Sequence, residues 1–155
     1  MKFSNRVDVA APVDFVFDQL ADFSSFERAA LRKGISLQRL DALEAPGAGM
    51  SWDIGFRMRG RQRRLIADIR RYERPEWLEY EGTSQGFHLI LTLQLMALAK
   101  GRTRLSTGFE VKPRTLGARL LVQSAKLGRG NLERRYDERV KAFARAIEAK
   151  AGAAA

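Results

Sequence analysis

The sequence predicts an α+β domain in which a curved antiparallel sheet of seven strands grips one long C-terminal helix. Three observations lead there. The chain opens with an alternating strand that runs into two short helical stretches. Six more alternating segments follow, separated only by short turns, and strands joined that way pair antiparallel. The chain then closes on a helical pattern from Thr115 to Lys150, roughly 54 Å long at the rise of an α-helix, which needs a broad partner surface. The 155 residues suit a single domain over 1–150, with Ala151 to Ala155 expected to fray.

Phe3, Asn5, Val7 and Val9 alternate with Lys2, Ser4, Arg6 and Asp8, which is the pattern of a half-buried strand. Pro12 suits the first turn of a helix whose apolar face is Val13, Val16 or Phe17, and Leu20. A second short helix follows, capped by Ser24 or Ser25 and stopped at Gly34. Ile35 to Leu43 is expected to be a strand, and Ala45 to Gly49 a turn cluster. Met50, Trp52, Ile54, Phe56 and Met58 form the clearest two-sided strand, closed by Gly60-Arg61. Arg63 to Arg74, Trp77 to Ser84, Phe87 to Ala97 and Thr103 to Val111 complete the sheet.

Pro113 cannot sit inside a helix, so the last helix starts after it with Thr115 as N-cap. Leu116, Leu120, Leu121, Ser124, Leu127, Leu132, Tyr136, Val140, Phe143 and Ile147 recur at helical steps and define one largely apolar face. Gly128-Arg129-Gly130 interrupts it, and glycine pairs are an identifiable cause of kinks. A bend is expected there, with Leu116 to Leu127 lining a cavity and Leu132 to Ile147 packing the core.

Composition narrows the function classes. The 45% apolar and 9% aromatic content is that of a folded chain. There is no cysteine, which excludes disulfide frameworks and thiolate nucleophiles and makes the reducing cytoplasm the expected compartment. The N-terminus lacks an apolar signal core, and no stretch reaches the ~18 apolar residues of a membrane-spanning helix. The net charge of +10 favours anionic partners in general. The stretch Arg57 to Arg71 is dense in arginine, but it lacks the interleaved aromatics on which single-stranded nucleic acid stacks. Nucleic acid therefore ranks below a small ligand as the partner.

Catalysis needs convergent polar groups, and few are on offer. His88, the only histidine, sits on the strand face opposite Leu89 and Leu91 and reads as surface or structural. Glu79 and Glu81 share what reads as the outer face. One histidine without cysteine makes a zinc site improbable. No phosphate-cradling glycine pattern is present, and no cofactor is expected. No catalytic or metal-ligating residue is assigned; Tyr80 is the one fair candidate should the protein be an enzyme. The inward set is more informative. Trp52, Phe56, Met58, Tyr80, Phe109, Leu120, Ser124 and Leu127 converge if the sheet wraps the helix, giving an apolar lining with the polar tips of Ser124, Thr107 and Tyr80.

Several local sequences sharpen this. Ala11-Pro12-Val13-Asp14-Phe15-Val16 follows the first strand; Tyr72-Glu73-Arg74-Pro75 precedes Trp77-Leu78-Glu79-Tyr80; Gly101-Arg102-Thr103-Arg104-Leu105 turns into the last strand. With the element order, they make the chain resemble the START-like helix-grip superfamily, and within it the polyketide cyclase/dehydrase and lipid-transport family, over Phe3 to about Ile147. Where family members often carry a tryptophan near the second short helix, Phe23 and Phe26 stand here. The resemblance implies an apolar cavity between sheet and helix that binds a lipid, quinone or polyketide-like molecule. A non-enzymatic carrier or sensor ranks first. A cyclase/dehydrase-type enzyme is the second reading, and a basic module for RNA, ribosome or anionic membrane the third.

Overall fold

A computed structural model describes residues 1–154. The elements follow one another as β1 (Lys2–Val9), α1 (Val13–Leu20), α2 (Phe23–Arg32), β2 (Ser36–Arg39), β3 (Ser51–Met58), β4 (Arg61–Glu73), β5 (Trp77–Thr83), β6 (Phe87–Ala99), β7 (Arg102–Pro113), α3 (Leu116–Lys126) and α4 (Arg129–Ala154). All seven strands join one antiparallel sheet in the order β1-β7-β6-β5-β4-β3-β2. The first strand therefore pairs with the last, Phe3 opposite Phe109 and Val7 opposite Leu105.

Alternation gives each strand an inner and an outer face, with the step broken at the register shifts between Ile69 and Arg71 of β4 and between Ala97 and Ala99 of β6. Val9, Leu105, Leu95, Leu78, Ile69 and Trp52 come from the inner faces of six strands and are buried. Val16, Phe17 and Leu20 of α1 close on them, with Ala144 and Ile147 of α4. Phe17 meets Tyr72 edge to face, centroids 5.3 Å apart. The outer face is polar and paired: Arg70 reaches Glu81 at 2.8 Å and Glu79 at 3.8 Å. His88 lies there as expected, its Nε2 3.4 Å from Glu81.

The β3–β4 hairpin turns through Arg59 and Gly60, with φ of 52° and 74°. Positive φ at both central positions is the type I′ geometry that matches strand twist, and glycine adopts it without a Cβ penalty. β2 is shorter than the sequence predicts. Its pattern was expected to run to Leu43, but the ladder stops at Arg39. Asp41 explains the departure. Its carboxylate accepts two hydrogen bonds from the Arg39 guanidinium and one each from the backbone N–H of Leu43 and Ser51, folding the chain into a loop. Those bonds, Arg39's first, hold the Asp41 carboxyl well below the usual carboxylate range.

The C-terminal helical segment is two helices, divided at Leu127-Gly128. Thr115 caps α3 as expected, its Oγ1 accepting from the Ala118 N–H at 3.1 Å. α4 runs through Ala154, where the sequence suggests a frayed tail, because Ala151 still packs against the core. Ala155 lies outside the described residues. No helix among the described residues is long and apolar enough to cross a membrane.

Candidate functional site

The concave face of the sheet carries the candidate site, and strand register sets its floor. One row across the sheet reads Ile69, Tyr80, Leu91, Phe109, Phe3. The next, toward the β3–β4 hairpin, reads Ala67, Gly82, Leu89, Val111. Gly82 is closely packed in that row: a Cβ there would stand 3.1 Å from Leu65 Cδ1 and 3.4 Å from Leu89 Cβ, so those side chains would have to give by a few tenths of an ångström.

α4 covers one side of this face. It packs chiefly on β1, where Asn5 Nδ2 donates to Asp137 at 2.7 Å. Tyr136 reaches inward, its ring 5.8 Å from Phe3 and 6.5 Å from Phe109 between centroids. Its hydroxyl lies 2.6 Å from that of Thr107, a buried residue of β7. α2 covers the other side, and the two helices meet where Phe26 stacks on Phe143 at 6.0 Å. The hollow beside that stack, between α2, Asp22 and Lys150, holds about 50 Å³, room for little more than a water molecule. Between these helices Ile54, Phe56, Leu65, Tyr80, Leu89 and Leu91 remain half-buried, so the middle of the concave face is a trough with an apolar floor.

Tyr80 is the polar group of that floor. Its hydroxyl has no hydrogen-bond partner among the described residues, and its burial, with a smaller push from Tyr72, raises its pKa far above the ordinary tyrosine value. The hydroxyl therefore keeps its proton at neutral pH and can donate to an acceptor oxygen. Tyr136 is also raised, mainly by burial, while its bond with Thr107 works the other way.

The residues singled out from the sequence divide three ways. Phe56, Tyr80 and Phe109 lie on the trough side of the sheet, half-buried. Trp52 is 7% exposed and belongs to the core: it packs on Phe23 at 5.5 Å, and its Nε1 donates to Glu27 at 3.3 Å. The remaining four are displaced from the expected lining. Met58 is exposed at the hairpin, and Ser124 is exposed on α3 with Leu120 and Leu127, which are 65% and 92% exposed. The reason is rotational. α3 turns Ala118, Val122 and Ala125 toward the body, and on an α-helix a position two residues along lies about 200° round. Leu116 and Leu120 thus point almost directly away from the side that carries Ala118 and Val122. Small residues win the inward side because they let the helix approach Gly86, where an added Cβ would stand 3.6 Å from that of Ala118.

The Tyr136–Thr107 pair was not foreseen. Each residue belongs to its own apolar period, and neither period says which hydroxyl the other will meet. A second hollow of about 450 Å³ lies over β2, β3 and β4, lined by Ser36, Gln38, Asp53, Gln62 and Arg64, and there the Arg64 guanidinium is already paired with Asp53. No group of three or more metal-ligating side chains occurs among the described residues.

The profile of the family described as polyketide cyclase / dehydrase and lipid transport matches residues 1–148. A search of curated proteins gives no match. Solved structures share the fold at low identity. The crystal structure of Ara h 8.0201 is 13% identical with a TM-score of 0.61, over 99% of this chain and 98% of that one. The Zhui aromatase/cyclase from Streptomyces sp. R1128 is 16% identical with a TM-score of 0.63, over 96% and 93%. A START superfamily protein from Mycobacterium smegmatis is 16% identical with a TM-score of 0.53, over 86% and 95%.

Proposed function

We propose that this chain, which belongs to the polyketide cyclase/dehydrase and lipid transport family, binds one small, mainly apolar molecule that carries an acceptor oxygen. The observation that carries the reading is the trough. Its floor of Leu89, Leu91, Phe109 and Phe56 is left half-covered by both flanking helices. Burying such a surface under a ligand is favourable at about 25 cal/mol per Å². The Tyr80 hydroxyl, protonated and without a partner, supplies one directional contact, which suits a quinone, a polyketide-like ketone or a lipid carbonyl. Ligand binding without turnover is the first reading. A general base would need a lowered, not raised, proton affinity relative to ordinary tyrosine, and the same burial that readies Tyr80 as a donor disqualifies it as a base near neutral pH.

The test is titration with the neutral fluorophore N-phenyl-1-naphthylamine, followed by displacement with a long-chain quinone and with a hydrocarbon of equal length. Saturable binding near one per chain is expected, with the quinone the better competitor. Phe109→Ala should weaken both competitors. Tyr80→Phe should weaken the quinone alone, by about 0.5–1.5 kcal/mol, the net value of one hydrogen bond. A well-folded protein that shows no saturable binding would end the proposal. Equal loss for quinone and hydrocarbon in Tyr80→Phe would remove the acceptor oxygen from it.

A further inference from the structure

The most exposed large apolar side chains among the described residues are not in the trough but on α3 and its C-cap. Leu116, Leu120 and Leu127 are 75%, 65% and 92% exposed. At about 100° per residue they fall within an arc of about 40°, so they form one stripe. That stripe faces solvent, because the opposite side of the helix is the one buried through Ala118 and Val122. A folded domain seldom leaves such leucines aligned in water without use.

The charge around the stripe is mainly positive. From Val111 to Leu132 the chain carries Lys112, Arg114, Arg119, Lys126 and Arg129 and no acidic residue. Glu110 and Glu133, just outside, pair with Lys112 at 3.2 Å and Arg129 at 2.8 Å, and Arg114, Arg119 and Lys126 form no salt bridge among the described residues. Arg119 and Lys126 lie about 60–80° round the helix from Leu116, on one flank of the stripe. A second element repeats the pattern at the same end of the sheet. Met58 pairs with Arg61, Ile66 with Thr83, Thr83 with His88, and Phe87 with Pro113, so the β3–β4 hairpin and the start of α3 share one rim. In that hairpin Met58 is 49% exposed among Arg57, Arg59, Arg61 and Arg63. None of these four arginines forms a salt bridge among the described residues; only Arg64 does, with Asp53.

We propose that this rim docks on an anionic lipid bilayer, with the Leu116/Leu120/Leu127 stripe and Met58 inserted at the headgroup level and the arginines and lysines on the lipid phosphates. Apolar side chains ringed by cations are what an interfacial helix needs, since area burial and charge attraction add. Charge also selects among occupants. A second copy of the same face would bring Arg114, Arg119, Lys126 and the four hairpin arginines of both copies together, none of them in a salt bridge among the described residues, whereas an anionic surface neutralises them. The proposal goes beyond the ligand reading and does not rest on it, because docking requires nothing in the trough.

The experiment is flotation of the protein with phosphatidylcholine vesicles containing phosphatidylglycerol, against pure phosphatidylcholine vesicles, at 0.1 M NaCl. The anionic vesicles should carry the protein up and the neutral ones should not. Leu120→Ser plus Leu127→Ser leaves the charge unchanged; it should lower the partition coefficient roughly a hundredfold, as expected for two leucines kept out of water. Its thermal unfolding should match the parent, since both leucines are exposed. Arg119→Gln plus Lys126→Gln should weaken binding and flatten its salt dependence. The proposal is overturned if the parent does not float with anionic vesicles, or if the serine variant floats as well as the parent, which would mean charge alone holds it. It is equally overturned if lipid-free sedimentation reveals a dimer that the serine variant dissolves, for then the leucines cover a second copy.

Discussion

α3 and α4 descend from one run of helical spacing, broken only at Gly128-Arg129-Gly130, yet they treat it in opposite ways. α4 turns its large side chains inward: Ile147 is 2% exposed, and Tyr136 and Phe143 stack on β1, β7 and α2 partners. α3 turns its large side chains outward and packs through Ala118 and Val122. Periodicity reports that a helix has an apolar face. Which face the body takes depends on the distance available, and α3 approaches Gly86 through the small side chain of Ala118. A leucine stripe left over in that way is surface, and its energetic weight belongs to whatever it meets next.

The contrast can be broken by substitution. Ile147→Ala should cost about 2–5 kcal/mol in denaturant unfolding, the range for truncating a buried aliphatic. A loss no greater than that at an α3 leucine would erase the distinction. Next in size is the junction. Gly128→Ala plus Gly130→Ala should stabilise the protein by about 0.4–1 kcal/mol per site in thermal unfolding, the range for glycine replaced where the backbone tolerates alanine. Neither added Cβ meets an atom closer than 3.9 Å. A lower melting temperature would show that the break between α3 and α4 needs glycine for its shape. Tyr136→Phe should cost about 0.5–1.5 kcal/mol, since it strands the Thr107 hydroxyl, and it should leave α4 helical by circular dichroism. No change on removing that hydroxyl would mean that ring stacking alone seats α4. The smallest effect is expected at Leu120→Ala, within about 0.5 kcal/mol, as at other exposed positions. A cost above about 2 kcal/mol there would place the stripe against the body.

Much of the fold was legible. Alternation located the strands, Pro12 and Pro113 marked helix entries, and the short turns required antiparallel neighbours. That order, with the local sequences over residues 11–16, 72–80 and 101–105, carried the resemblance to the family and its helix-grip architecture. The site was only partly legible. Phe56, Tyr80 and Phe109 fall on the trough side because alternation runs unbroken through β3, β5 and β7, and a residue's face follows from its parity. Trp52 obeys the same parity but lies deeper, packed on Phe23, and parity carries no depth. Leu120, Ser124 and Leu127 were placed inward on the assumption that the larger side chains of a helix face the core. The competing signal, Ala118, Val122 and Ala125 at their own helical spacing, stood in the same sequence. It is weaker per residue, and only the close approach of the backbone makes it decisive. Asp41, which ends β2, is likewise a local polar trap that a hydrophobic period does not register.

The pairing of β1 with β7 carries a consequence for how the chain is made. The amino group of Met1 donates to the carbonyl of Val111 at 2.9 Å, across a separation of 110 residues. On a ribosome the hairpins from β2 to β6 can zip in sequence as they emerge, each closing over a short loop. β1 emerges before its partner β7, so its backbone edge stays open while the strands between them are made. Loop closure of that length makes sheet completion the late, slow event. A chain stopped before β7 would carry two more unpaired strand edges than the complete sheet, one on β1 and one on β6, the template on which misassembly starts.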